Sequence, residues 1–229
     1  MIVIMGRFGH ISLSTFRELV RMSYIALAHG PLKGLDYRAN RPFKDWRRPE
    51  MLERIEEWLG LDPPRLELAT LALDELNIRG LNRAHAALPL FVEAGIPPIG
   101  WLPAARRNVL EQLRPPATRR GRGRLYVILR DGYTENNGYY GAYVGVTGKR
   151  VEDRFVEHRR GIRAGRGLKH HGIELLYSLF AWANPIPGGS LVRREYETRL
   201  HRLLEAAIPN VSGDVITQNA MIERPFSEG

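Results

Sequence analysis

The chain of 229 residues has no cysteine and only four lysines, Lys33, Lys44, Lys149 and Lys169. The missing cysteine excludes a disulfide scaffold, thiol catalysis and cysteine-ligated zinc, and fits a cytoplasmic protein. No apolar run approaches the roughly 18 residues of a membrane span, so no role in a membrane is expected. The apolar start, Met1 to Met5, gives way to Gly6 and Arg7, which is too short for a signal peptide. Internal repeats and low-complexity tracts are missing as well.

Apolar residues make up 44% of the chain and charged residues 26%, values suited to one large or two small globular domains with a real core. Lys+Arg number 34 against 25 Asp+Glu, a net charge of +9 carried almost entirely by arginine. Guanidinium forks suit phosphates, although an arginine bias can also reflect base composition. The charge is uneven. Residues 1–113 hold 15 basic and 13 acidic side chains, whereas residues 114–229 hold 19 and 12. A polyanion partner is therefore expected at the second half.

Arg114-Pro-Pro-Ala-Thr-Arg-Arg-Gly-Arg-Gly-Arg124 has no apolar periodicity and reads as an exposed basic linker at 114–124, with Arg120 and Arg122 as candidate phosphate contacts. Before it, 1–113 reads as a helical domain for DNA targeting or oligomerisation. Thr15 and Glu18 have capping-box spacing and open a helix that stops at Gly30. Pro49 opens a second over 50–59, and others are expected over 65–76, 81–94 and 103–113. The Asn77-Ile-Arg-Gly80 turn could belong to a helix-turn-helix with Asn82 and Arg83 on its second helix, but an ordinary helical hairpin is the stronger reading, and Pro89 weakens the first further. His29 and His85 are isolated and read as structural.

After the linker, over 125–229, the periodicity changes. Strands are expected at 125–129 and 142–146, joined by a loop rich in turn formers, then a helix over 150–163, a strand over 175–183 and an amphipathic helix over 191–207. The fold class is α+β, a small β-β-α-β-α domain with a central antiparallel sheet preceded by an all-helical domain.

Alternation puts Tyr126 and Ile128 on one strand face, and Tyr143 and Gly145 on one face of the next. A hairpin can bring both tyrosines over the same patch, with Gly145 leaving room for a bulky substrate. Arg154 and His158 are neighbours at i, i+4, flanking the stripe of Val151, Phe155 and Ile162. At about 100° per residue, Glu197 lies about 60° from Leu200 on the rim of the apolar face, while Glu195 and Glu205 lie about 140° away. Glu197 is the carboxylate that can look inward. His170-His171 has no carboxylate nearby in sequence and reads as structural or DNA-facing.

Taken together, Leu125-Tyr126, Tyr143-Val144-Gly145, Arg154, His158, Glu197 and Pro209-Asn210 resemble the GIY-YIG nuclease family over about 123–214. Two departures stand out: Arg124 replaces the first motif's glycine, and the loop carrying Asn136, Asn137, Tyr139 and Tyr140 is longer than usual. That loop is either a DNA-reading insertion or a hairpin tip.

The resemblance implies phosphodiester hydrolysis with one Mg²⁺ or Mn²⁺ bound by Glu197. Tyr126 would activate or orient water with Tyr143 beside it, and Arg154 would neutralise the transition state. His158 would hold phosphate or relay a proton, and Asn210 would fix the end of the site. Lys149 and Arg150 would be further phosphate contacts. The expected protein is thus a divalent-metal-dependent endonuclease acting on double-stranded DNA, site-specific and of restriction or mobile-element type, with a homo-oligomer (dimer or tetramer) or sequential nicking needed to break both strands. A repair or structure-selective nuclease and an inactive nucleic-acid-binding module are the alternatives, and phosphate contacts alone do not separate RNA from DNA.

Overall fold

A computed structural model describes residues 28–213 apart from Arg119 and Arg166. Most of the helix expected from Thr15 lies outside the described residues.

Helix α1 (Arg48–Leu59) begins with Pro49 in its first turn, where a missing N–H costs nothing, and closes at Gly60. Helix α2 (Leu66–Ile78) is apolar on nearly every side and correspondingly buried. The expected helix over 81–94 is divided into α3 (Leu81–Ala84) and α4 (Leu88–Ala94). Pro89 is the cause: it supplies no N–H and disfavours helical backbone before it, so it sits in the first turn of a new helix. Asn82 and Arg83 are left exposed on a four-residue helix, too short for a groove-spanning recognition element. Helix α5 (Leu102–Gln112) completes the set.

Strands β1 (Arg124–Arg130) and β2 (Gly141–Thr147) form an antiparallel hairpin, with Tyr126 opposite Gly145 and Ile128 opposite Tyr143. Helices α6 (Val151–Arg159) and α7 (Leu168–His171) follow, then β3 (Gly172–Leu175), α8 (Ser190–Glu205) and β4 (Val211–Gly213). The sheet order is β3-β1-β2-β4. The class is α+β as expected, but the sheet is mixed rather than antiparallel, because β4 runs parallel to β2.

The third strand is displaced from its expected place. It occupies 172–175, and the apolar run from Tyr177 to Ala183 forms two 3₁₀ turns. A buried apolar run carries no period that separates strand from helical turn. Here the N–H groups of Tyr177 and Ser178 donate to the two oxygens of the Glu67 carboxylate, at 3.0 and 2.7 Å, in place of a strand partner.

Helix α6 also ends early, at Arg159 instead of 163. Gly161 takes φ 78°, and its N–H donates to the His158 carbonyl while the Ile162 N–H donates to that of Glu157, which is a Schellman cap. Ile162 is consequently off the helix and 51% exposed, not part of the buried stripe.

The buried side chains of the helical segment and of the sheet segment form one cluster. Helix α5 lies against α8, and the Asn108 amide donates to the Leu203 carbonyl at 2.7 Å. The long β1–β2 loop is fastened to the helices: the Trp101 indole donates to the Tyr140 carbonyl and the Tyr140 hydroxyl to the Pro97 carbonyl. Tyr140 is buried by these contacts, while Asn136 and Tyr139 stay exposed. Among the described residues no helix is long and apolar enough to cross a membrane.

Candidate active site

The hairpin register explains how two tyrosines meet. Tyr126 and Tyr143 sit on the same face of adjacent strands, diagonally offset, with ring centroids 6.2 Å apart. Gly145, opposite Tyr126, does not leave space for a substrate as expected; the Tyr126 ring fills that space. A methyl group built on Gly145 would stand 2.9 Å from the ring's Cε2 and closer still to its hydroxyl. Tyr143 needs a glycine as well, since a Cβ on Gly165 would lie 2.8 Å from its Cζ.

His158 joins the pair from α6. Its ring lies 5.7 Å from Tyr126 and 5.4 Å from Tyr143, and it is fully buried. The Gly165 N–H meets Nδ1 at 3.2 Å, and the Tyr126 hydroxyl lies 2.9 Å from Nε2. A backbone N–H only donates, so Nδ1 is the acceptor and Nε2–H of the neutral ring donates to the phenol oxygen. Burial, and then the charge of Arg154, push this imidazole down to about 4, so the ring is neutral at physiological pH. With both nitrogens engaged, His158 neither ligates a metal nor reaches a phosphate. The expected phosphate contact is not open to it in this arrangement, whereas its bond to the Tyr126 hydroxyl leaves the expected proton relay in place.

Arg154 is held in place. Its guanidinium donates to Glu157 at 3.1 Å and to the carbonyls of Ile162 and Arg163 at 3.2 and 2.7 Å, the backbone freed by the α6 cap. Tyr126 is pushed up to about 12, chiefly by burial, with the Arg154 charge pulling the other way and Glu197 adding to the rise.

Tyr126, Val146 and Arg154 line one side of an open cavity of about 370 Å³, and Ser190, Arg193, Arg194 and Glu197 of α8 line the other. Glu197 is only 5% exposed, whereas Glu195 faces solvent on a different flank of α8 and Glu205 is exposed. The inward position expected of Glu197 from the helical angle is the one it takes. Glu197 is the single carboxylate among the described residues lining this cavity, and no group of three or more His, Asp or Glu suited to a metal occurs among them. A hard divalent ion accepts one carboxylate when waters and phosphate oxygens complete its shell, so the donor set fits an ion that arrives with its substrate.

Several other candidates are placed elsewhere. Asn210 lies beyond α8 at the far end of β2; its amide donates to the Asn137 carbonyl and its own carbonyl accepts from Ala142, so it secures the β1–β2 loop rather than closing the site. Lys149 pairs with Glu157, and Arg150 stands 3.7 Å from Glu152 on the surface. Arg120 and Arg122 are exposed on the linker and do not line the cavity. His171 pairs with Asp131 at 2.9 Å, a carboxylate far from it in sequence.

Two residues of the arrangement escaped sequence reasoning. Gly165 seats Tyr143 and fixes the histidine tautomer, yet it looks like any glycine of a basic loop. Arg193 lines the cavity one helical turn before Glu197, and that i, i+4 spacing was a readable signal. Comparison with family models, with curated proteins and with solved structures finds no match for this chain.

Proposed function

We propose that the chain is a metal-dependent DNA endonuclease of the GIY-YIG type, site-specific in the manner of restriction or mobile-element enzymes, in which each site cuts one strand and two copies act for a double-strand break. The observation that carries this reading is the convergence of Tyr126, Arg154 and Glu197, from a strand and two helices, on one open cavity.

Arg154, fixed by the α6 cap, presents positive charge to the scissile phosphate and to the charge that grows in the transition state. Near neutral pH Tyr126 carries its proton, so it can orient a water; to take that water's proton as the oxygen attacks phosphorus, it must first become phenolate. His158 favours that form by donating Nε2–H to the phenol oxygen. Glu197 would hold Mg²⁺ or Mn²⁺ together with phosphate oxygens. Such an ion, when bound, supplies Lewis-acid stabilisation of the leaving 3′ oxygen and draws the neighbouring phenol toward phenolate.

The test is incubation of supercoiled plasmid and linear genomic DNA with the protein in Mg²⁺ and in EDTA, beside Glu197→Ala and Glu195→Ala. Mg²⁺-dependent discrete bands, lost in Glu197→Ala and kept in Glu195→Ala, are expected. A smear would favour a structure-directed or non-specific nuclease. A salt-sensitive gel shift with no cutting by the wild type would overturn the enzyme reading in favour of a binding module.

A further inference from the structure

Arg193 has a setting unlike that of the other arginines of α8. Its aliphatic stem lies flat against Gly123, where an added Cβ would stand 3.1 Å from both Cγ and Cδ. Gly123 is itself fixed by a two-way backbone bridge to Ile186, its N–H donating at 3.2 Å and its carbonyl accepting at 2.8 Å. The Nη1 end reaches the turn after β2, 3.9 Å from where a Cβ on Gly148 would be. Gly123 therefore seats the stem, Gly148 lies beside the head, and Arg193 lines the cavity wall with Tyr126 and Glu197. Arg154 spends its donors on Glu157 and two carbonyls, whereas among the described residues no hydrogen bond or ion pair holds the head of Arg193.

From this geometry we infer that Arg193 is a second phosphate-holding residue, binding a backbone phosphate of the nucleic acid adjacent to the scissile one. The inference rests on the nuclease reading for its substrate. A planar fork on a confined stem loses little freedom when it grips two oxygens of one phosphate, which suits it to fixing the register of the strand over the cavity. Arg154 and Arg193 then divide the work: the first, already anchored, faces the reacting phosphate, and the second engages only when the strand is present.

The experiment is fluorescence anisotropy of a labelled duplex with the full chain in EDTA over a salt series, comparing wild type with Arg193→Ala, Arg193→Gln and Arg193→Lys. The Ala and Gln variants are expected to bind about tenfold more weakly, and the slope of log K against log salt to fall by about 0.9, one phosphate contact. Arg193→Lys should keep the slope while recovering only part of the affinity, since an ammonium is a point charge and no fork. Gln keeps the stem on Gly123, so a folding defect confined to Ala does not obscure the result. Wild-type affinity and slope in Ala and Gln, with plasmid cutting intact in the wild type, would overturn the role of Arg193 and leave the nuclease reading standing. A wild type that binds but does not cut sinks the nuclease reading alone, and one that does neither sinks both.

Discussion

Gly145 is occupied by another residue's ring. Its missing side chain is the space in which Tyr126 lies, so the two positions act as one unit across the β1–β2 ladder. Gly145→Ala must push Tyr126 out of line with Nε2 of His158, because the clash falls on the phenol and no flexible chain is present to yield. Cutting should fall to the level of Tyr126→Phe; the clash costs about 1–3 kcal/mol of stability, and Tyr126→Phe costs about as much by leaving the buried Nε2–H of His158 unpaired, with plasmid nicking and urea denaturation of the two variants as the check. Much of this site was legible from periodicity. Strand alternation put both tyrosines on one face, and helical angle separated Glu197 from Glu195 and Glu205. Those arguments say which way a side chain points, and nothing about what covers it. His158 was read as an edge residue for that reason: the N–H that closes over it belongs to Gly165, which no local pattern links to α6.

Among the elements, the β1–β2 hairpin, α1, α2, α5 and α8 follow from apolar spacing and from proline and glycine punctuation to within a few residues. What could not be read was settled by distant groups. The apolar stretch after β3 becomes 3₁₀ because a carboxylate from α2 satisfies its N–H groups. β4 is three half-buried residues whose only signature is the neighbour it pairs with. The end of α6 was readable in principle, since Gly161 marks it, and it matters for the proposed chemistry because the cap exposes the carbonyls that hold Arg154. Gly161→Ala places a side chain at φ 78° and should cost about 1 kcal/mol. Nicking should fall further than a loss of that size explains, because Arg154 loses its anchor; thermal melting and single-turnover rates measured together would show whether the two effects separate.

At the scale of the whole molecule, Glu67 and Glu174 lie in one buried contact between α2 and the sheet segment, where the Glu67 N–H donates to Glu174 at 2.6 Å. Burial raises Glu67 to about 7, and burial together with the Glu67 charge raises Glu174 well above the carboxylate range. Both folded values exceed the unfolded ones, so protonation favours the fold. That contribution is complete below about 4.5, and the part from Glu67 is lost as pH rises through about 7. His158 acts in the opposite sense, its contribution being present above 6.5 and lost as pH falls toward about 4. Glu174→Gln keeps an acceptor for the Glu67 N–H and removes one ionisation. The melting temperature at pH 8 should rise by roughly 2–4 °C for each 1 kcal/mol gained, with little change at pH 5. A drop at pH 8, read by scanning calorimetry, would show that the carboxylate is needed in its charged form.

The shared core also bears on the basic linker. Arg120 and Arg122 are exposed on the segment that joins the helices to the sheet, where trypsin can reach an arginine. The helices before it and the sheet after it bury apolar side chains in one cluster and exchange hydrogen bonds at Glu67, Asn108 and Trp101. A single nick there should therefore yield two polypeptides on a denaturing gel that still elute from a sizing column as one complex. The peptide bond at the linker is then dispensable once folding is complete, and the two halves expressed as separate chains should reconstitute each other.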